Sequence, residues 1–255
     1  MSAVHLEIKE GIAEIRLDNP AKLNAFTVEM LQQLADHLDR LERAPNVGCV
    51  IVTAEGERAF CAGADINAWG NLTPAEFGRH WVRDGHRIFD RLSRLSKPVI
   101  AAMTGHAFGG GLELAAACDV RIMAPSATIA LPEAHVGIVP GWSGTQRLAR
   151  LLPEPVLKEM ALFGRRISAE RAHAFGFVAE VSPDPVETAR SMAQSVLALS
   201  PRAVEVSKYM IHAGRGEDRD AMIEALGSAA ISASADRDEG VAAFRAKRKP
   251  AFSGE

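Results

Sequence analysis

The sequence predicts an α/β fold built on a largely parallel sheet. Three observations carry this. Short apolar runs such as "VGCVIVTAEG" (47–56) and "KPVIAAM" (97–103) read as buried strands. Segments with apolar residues at helical spacing lie between them. Glycine-bearing loops follow the strand ends, as they do where strands and helices alternate.

The elements follow in order. "HLEIKEGIAEIRLDNP" (5–20) alternates apolar and polar residues on both sides of Glu10-Gly11. It predicts a β-hairpin, with Leu6 and Ile8 on one face before the turn and Ile15 and Leu17 after it. Thr27 is placed to cap a helix in which Leu31, Leu34, Leu38 and Leu41 recur, ending before Pro45. The strand at 47–56 comes next, and "RAFCAGADI" (58–66) is expected to be the loop after it. Pro74 and Glu76 open a helical segment that lasts to about Leu95. A second buried strand, "KPVIAAM", leads to a predicted loop, "TGHAFGG" (104–110). "GLELAAACD" (111–119) reads as a helix and "VRIMA" (120–124) as a third strand. Two prolines in "PDPVETAR" (183–190) suggest a boundary that divides the chain into 1–188 and a helical 189–255. There Ala203, Val206 and Met210 form an apolar stripe. The small residues of "DAMIEALGSAAISASA" (220–235) suit close packing, including against another subunit.

Composition narrows the function. The net charge of -3 argues against a nucleic-acid-binding surface, and the one dense basic run is Arg245–Lys249. Cys49, Cys61 and Cys118 form no CxxC pair, which fits a reducing compartment, so a cytoplasmic protein is expected. The histidines show no zinc-binding spacing, and no metal is expected. No segment reads as a signal peptide or a membrane span.

The chemistry concentrates in two stretches. In "GHAFGGGLELAAACDV" (105–120), Glu113 stands between Leu112 and Leu114. A buried carboxylate costs several kcal/mol unless it is paired, hydrogen-bonded or protonated. One reading is a glutamate that reaches solvent or a backbone N–H; the other is a general acid or base whose pKa burial has raised. Glu133, in "LPEAHVGIVPGWSGTQRL" (131–148), sits in similar company. A helix and a strand separate the two, so both can face one cavity. Two close carboxylates push their pKa values apart, leaving one acid and one base at neutral pH. Gly109, Gly110 and Gly111 make a tight turn, or let a ligand approach backbone N–H groups at a helix N-terminus. Such groups suit an oxygen that gains charge during reaction. The N–H of Ala64, in "FCAGAD", is the candidate second donor.

Taken together, "NPAKLNAF" (19–26), "FCAGAD" (60–65), "GHAFGGGLELAAACD", "LPEAHVGIVPGWSGTQRL" and "EGVAAFRAKRKPAF" (239–252) resemble the crotonase, or enoyl-CoA hydratase/isomerase, superfamily. The motifs stand in family order over nearly the whole chain. The resemblance implies a spiral of repeated ββα units followed by a helical trimerisation region, with trimers commonly stacked into hexamers. It implies an acyl-CoA thioester substrate and no separate cofactor, since coenzyme A arrives with the substrate. It matches Ala64 and Gly110 to the oxyanion donors, and Glu113 and Glu133 to the glutamates of family hydratases. It matches Lys22, Leu23, Ala62, Asp65, Ile66, Phe244 and Lys247 to coenzyme A contacts, the last two reaching a neighbouring subunit's ligand. Trp69, Phe108 and Trp142 become acyl-pocket candidates, with Trp81 beside them.

Asn67 and Trp142-Ser143 depart from the family pattern, which has a basic residue at the first position and small residues at the second. The presence of both glutamates favours a 2-enoyl-CoA hydratase. A Δ3-Δ2-enoyl-CoA isomerase, a specialised catabolic hydratase and a non-catalytic CoA-binding trimer are the alternatives.

Overall fold

Continuous apolar runs such as those of 49–54 and 99–103 have two faces to bury at once, and helices cover both. The computed structural model describes residues 2–255. The chain forms two units, the first ending at Val204 and the second running from Glu205 to Glu255.

In the first unit, β1 (Ala3–Lys9) and β2 (Ile12–Asp18) form the predicted antiparallel hairpin, with Lys9 opposite Ile12. Glu10 and Gly11, both at positive φ (49° and 84°), make its two-residue turn. Helix α1 (Val28–Glu42) starts at Thr27, whose side chain accepts the Met30 N–H at 3.2 Å. It buries Leu31, Leu34, Leu38 and Leu41, the predicted stripe.

Strands β3 (Cys49–Ala54), β5 (Val99–Met103) and β7 (Val120–Met123) extend the sheet in parallel beyond β2, and β10 (Glu180–Val181) closes it. The order is β1-β2-β3-β5-β7-β10. Val50, Val52, Val99, Ala101 and Met103 face the main core, which also holds the buried residues of α1. Their alternates Cys49, Ile51, Ile100 and Ala102 face a second layer with Ala189 and Ala193. Those alanines belong to α9 (Pro185–Val196), which packs across β2, β3, β5 and β7. The expected boundary at 188/189 is therefore corrected. It falls inside a helix that covers one face of the sheet, and the prolines open that helix rather than a linker.

Two predicted loops also carry short strands. β4 (Ala59–Cys61), β6 (His106–Phe108) and β8 (Thr128–Ala130) lie parallel in a second sheet, joined antiparallel by β9 (Ile167–Ser168). Strands β3, β5 and β7 are each followed by a short strand and then by helix, the repeated ββα unit. The helices after the short strands are α2 (Ile66–Trp69), α3 (Pro74–Glu76) continuing through a π-helical turn (Phe77–Val82) into α4 (Arg83–Arg94), α5 (Gly110–Ala117) and α6 (Gly144–Leu151). Helices α7 (Glu154–Phe163) and α8 (Ala169–Ala174) complete the first unit.

Helix α10 (Pro201–Gly214) carries the chain into the second unit, which contains α11 (Arg219–Ser232) and α12 (Ala235–Ala246). The Arg248 guanidinium folds back onto Glu239, with contacts of 2.5 and 2.7 Å, and fastens the terminal segment to α12. Among the described residues, no helix is long and apolar enough to cross a membrane.

Candidate active site

The short parallel strands β4, β6 and β8 end side by side, and each is followed by one stretch of the site. After β4 come Ala62–Asp65; after β6 comes Gly109; after β8 come Leu131–Pro132 and a 3₁₀ turn, Glu133–Val136. Carboxyl ends of parallel strands are where ligand sites collect. Here they border a cavity of about 230 Å³.

Gly109 has φ 50° and ψ −123°, a region open in practice only to glycine. A Cβ there would stand 2.7 Å from Glu133 Oε1. The next two glycines are needed for space: a Cβ on Gly110 would meet the Trp142 ring at 2.7 Å, and one on Gly111 the Cys61 carbonyl at 2.0 Å. The three glycines thus let a helix start between a strand, an indole and a carboxylate. Gly110 is the first residue of α5, where an N–H has no intrahelical acceptor. Phe26 bonds both neighbours of Ala64: its N–H donates to Gly63 O and its carbonyl accepts from Asp65 N, each at 2.8 Å. In a parallel bridge this turns Ala64's own N–H away from Phe26. Ala64 and Gly110 both line the cavity.

Glu113 is 2% exposed, in the first turn of the helix that Gly110 begins. Its Oε1 accepts the N–H groups of Trp142 and Gly144, both at 2.7 Å. Gly144 is the first residue of α6, so the carboxylate also meets the positive end of a helix dipole. Glu133 is 8% exposed, and its buried Oε2 has no hydrogen-bond partner. Burial pushes both carboxyls up to about 7. For Glu113 the nearby Glu133 adds to the rise, while the two N–H bonds and Arg147 oppose it. Of the pair, Glu113 is better equipped to hold a negative charge and Glu133 to hold a proton.

The chain matches known proteins over nearly its whole length. The enoyl-CoA hydratase/isomerase family pattern matches residues 7–255. The chain belongs to that family. It is 35% identical to the short-chain-enoyl-CoA hydratase of Clostridium acetobutylicum, over 98% of this chain and 97% of the relative. It is 34% identical to the (E)-benzylidenesuccinyl-CoA hydratase of Thauera aromatica, over 98% and 99%. The solved structure of an enoyl-CoA hydratase from Bacillus anthracis superposes with a TM-score of 0.81 at 35% identity, covering 99% of each chain.

In this enoyl-CoA hydratase/isomerase family member, the cavity gathers Ala62, Ala64, Ile66, Trp69, Gly110, Glu113, Glu133 and Trp142 from the sequence prediction. Lys22 pairs with Asp65 at 2.5 Å, and Asp65 caps α2 through the Asn67 N–H at 3.0 Å. The "NPAKLNAF" loop that carries Lys22 and Leu23 is held from inside. Asn24, 1% exposed, donates to the carbonyls of Glu55 and Ala59 and accepts the Asn19 N–H.

Phe108 is a correction. It does not line this cavity. Side chains alternate across β6, and the one that follows buried Ala107 turns to the other face. There Phe108 stacks on His106 at 5.2 Å under the Arg166 guanidinium, beside a separate cavity that Leu23 and Arg58 also border. His106 has a bonding role, accepting the Thr128 N–H at 3.0 Å. Phe244, 86% exposed, and Lys247, at the left-handed end of α12, lie in the second unit.

Trp142 is 3% exposed and packs within its own chain, against Trp81 (5.3 Å), Phe89 (5.2 Å) and Phe26 (6.1 Å). Its indole N–H donates to the Trp81 carbonyl at 3.2 Å. Gly85 makes room for it, since a Cβ there would lie 2.2 Å from the indole nitrogen. Ser143 takes a left-handed conformation, φ 79°, and its hydroxyl bonds His86 Nδ1 at 2.7 Å. Sequence reasoning did not find Phe77, Val82, Ile138 and Val139, which also line the cavity. The only signal for the first two was their place in the predicted helical segment after Pro74. Among the described residues, no group of three or more His, Cys, Asp or Glu side chains is placed to hold a metal ion.

Proposed function

We propose that this chain is an enoyl-CoA hydratase, adding water across the C2–C3 double bond of a 2-enoyl-CoA thioester to give the 3-hydroxyacyl-CoA. The observation that carries the reading is the pair of buried carboxylates, Glu113 and Glu133, on one cavity beside the N-terminus of α5. The names of several relatives at similar identity, the crotonyl-CoA hydratase of Syntrophomonas wolfei among them, support it.

The thioester oxygen sits between the N–H groups of Ala64 and Gly110. As the double bond is attacked, electrons move toward that oxygen, and fixed donors in a dry site stabilise the charge. A water lies between the two glutamates. Ionised Glu113 takes one of its protons while the water oxygen bonds C3. Glu133 delivers its proton to C2, completing the addition. The pair ends with its proton exchanged, and transfer through the next water restores it. Their titrations belong to the pair rather than to either residue alone.

Coenzyme A enters as part of the substrate, beside Lys22, Leu23, Ala62, Asp65 and Ile66, and no other cofactor is proposed. Phe244 and Lys247 reach the coenzyme A of a neighbouring subunit in a trimer or a dimer of trimers. The exposed Met210, Ile211, Ile223 and Ile231 in the second unit support such an assembly. The cytoplasm is the proposed location, supported by three buried thiols in place of disulfides.

The test follows loss of the conjugated enoyl absorbance of crotonyl-CoA. Turnover by the parent is expected, with Glu113→Gln and Glu133→Gln each slower by about 10²–10⁴-fold. No turnover on enoyl thioesters that do bind would overturn the hydratase reading, and no binding would overturn the acyl-CoA site.

A further inference from the structure

Accepting the acyl-CoA reading above, the acyl end of the cavity says which thioester fits. It is walled by Trp69, Phe77, Trp81 and Trp142, four of the chain's aromatic side chains at one site. Two of these walls are ring pairs in their preferred geometry. Trp69 meets Phe77 edge-on, with centroids 5.5 Å apart and planes at 62°; Trp81 meets Trp142 at 5.3 Å and 50°.

The deep end does not yield. Trp142 is clamped by its bond to the Trp81 carbonyl and backed by Phe26 and Phe89, both 0% exposed. A long linear chain would have to pass through this cluster. Volume points the same way. A cavity of about 150 Å³ lined by apolar side chains holds benzene. The 230 Å³ here leaves roughly half that again for the enoyl thioester and its water. Charge adds a limit: among the described residues no Lys or Arg lines the cavity, and ionised Glu113 repels a further carboxylate. The acyl group therefore carries no carboxylate of its own.

We infer that the preferred substrate is an uncharged 2-enoyl-CoA with an aromatic ring at C3, its ring seated among Trp69, Phe77, Trp81 and Trp142. A rigid ring gives up little conformational freedom on entry, whereas a flexible chain must freeze several bonds. Its edges and faces complete the tilted contacts the walls already make with each other.

The test compares two saturated thioesters of equal carbon number, neither of which can be hydrated: 3-phenylpropionyl-CoA and nonanoyl-CoA. Binding is measured by calorimetry on the parent protein, with acetyl-CoA as reference. Plain burial favours nonanoyl-CoA, which has more apolar surface. The aromatic site predicts the reverse, with 3-phenylpropionyl-CoA tighter by about three- to tenfold. Trp69→Leu and Phe77→Leu, at half-buried positions outside the clamped cluster, are expected to weaken 3-phenylpropionyl-CoA more than nonanoyl-CoA and so bring the ratio near one. Equal or tighter binding of nonanoyl-CoA, or a ratio that survives both substitutions, would overturn the inference while leaving the hydratase reading intact. Binding of none of the three thioesters would overturn both.

Discussion

The carboxylate of Glu113 is held by the backbone of Trp142, whose indole is locked in turn to the carbonyl of Trp81. A residue that departs from the family's small-residue pattern thus serves two ends. Its ring closes the acyl end of the cavity, and its N–H fixes one of the two carboxylates. The two roles use different atoms, so substitution can separate them.

Trp142→Phe keeps the backbone donor and most of the ring. It leaves the Trp81 carbonyl without the indole N–H and opens a small void. We expect a loss of about 1–3 kcal/mol in urea denaturation, with crotonyl-CoA turnover within about tenfold of the parent. Trp142→Ala should cost about 3–5 kcal/mol. A Phe variant as impaired in turnover as Glu113→Gln would show that the side chain, not the backbone, carries the support.

Gly109→Ala forces a side chain into a backbone conformation that L-residues avoid, and its Cβ lands on Glu133. The backbone term alone is about 1–3 kcal/mol. Displacing the carboxylate should also lower kcat by roughly a hundredfold, since misplacement of about 1 Å is enough. Denaturation midpoints and steady-state rates check the two effects separately.

The glutamate pair should make stability fall as pH rises. Both folded-state values, about 7, lie above the ordinary 4.5. Below pH 4.5 folded and unfolded chains are both protonated, and burial costs nothing through ionisation. Between 4.5 and 7 the unfolded chain ionises first, so stability is lost across that window and stays lost above it. Glu133→Gln removes one such group. Relative to the parent, it should be more stable at pH 8 than at pH 5 by on the order of 2–3 kcal/mol. Urea curves at both pH values would show it; an offset that does not change with pH would contradict it.

His86→Ala removes the partner of the Ser143 hydroxyl, in the left-handed residue between the two N–H donors to Glu113. The 141–144 loop should loosen. We expect kcat to fall about tenfold with KM little changed, because the loop positions a reacting group rather than the substrate. His86→Asn, which can bond the same hydroxyl, should recover part of the loss.

Much of this was legible in local pattern. The Thr27 cap, the leucine stripe of α1, the Glu10-Gly11 turn and the long buried strands follow from periods of 3.6 and 2 within a few residues, and the sequence determines them directly. So was the anomaly of a glutamate in an apolar helix. The second sheet was not legible, because strands of two or three residues are too short to show a period. Nor was α9, whose opening prolines read as a boundary because the sheet it covers lies far away in sequence.

Within the site, the sequence alone singled out Glu113, Glu133 and the glycines as residue types suited to acid–base chemistry. Only the tertiary structure decided what each one meets. Glu113 finds its donors 29 and 31 residues downstream. Gly110 is small because Trp142 lies over it, and Phe108 turns its ring toward Arg166 rather than into the cavity. The reason is range. Hydrogen-bonding periods are set by neighbours along the chain, whereas burial, cavity shape and a carboxylate's pKa are set by whatever the fold brings alongside.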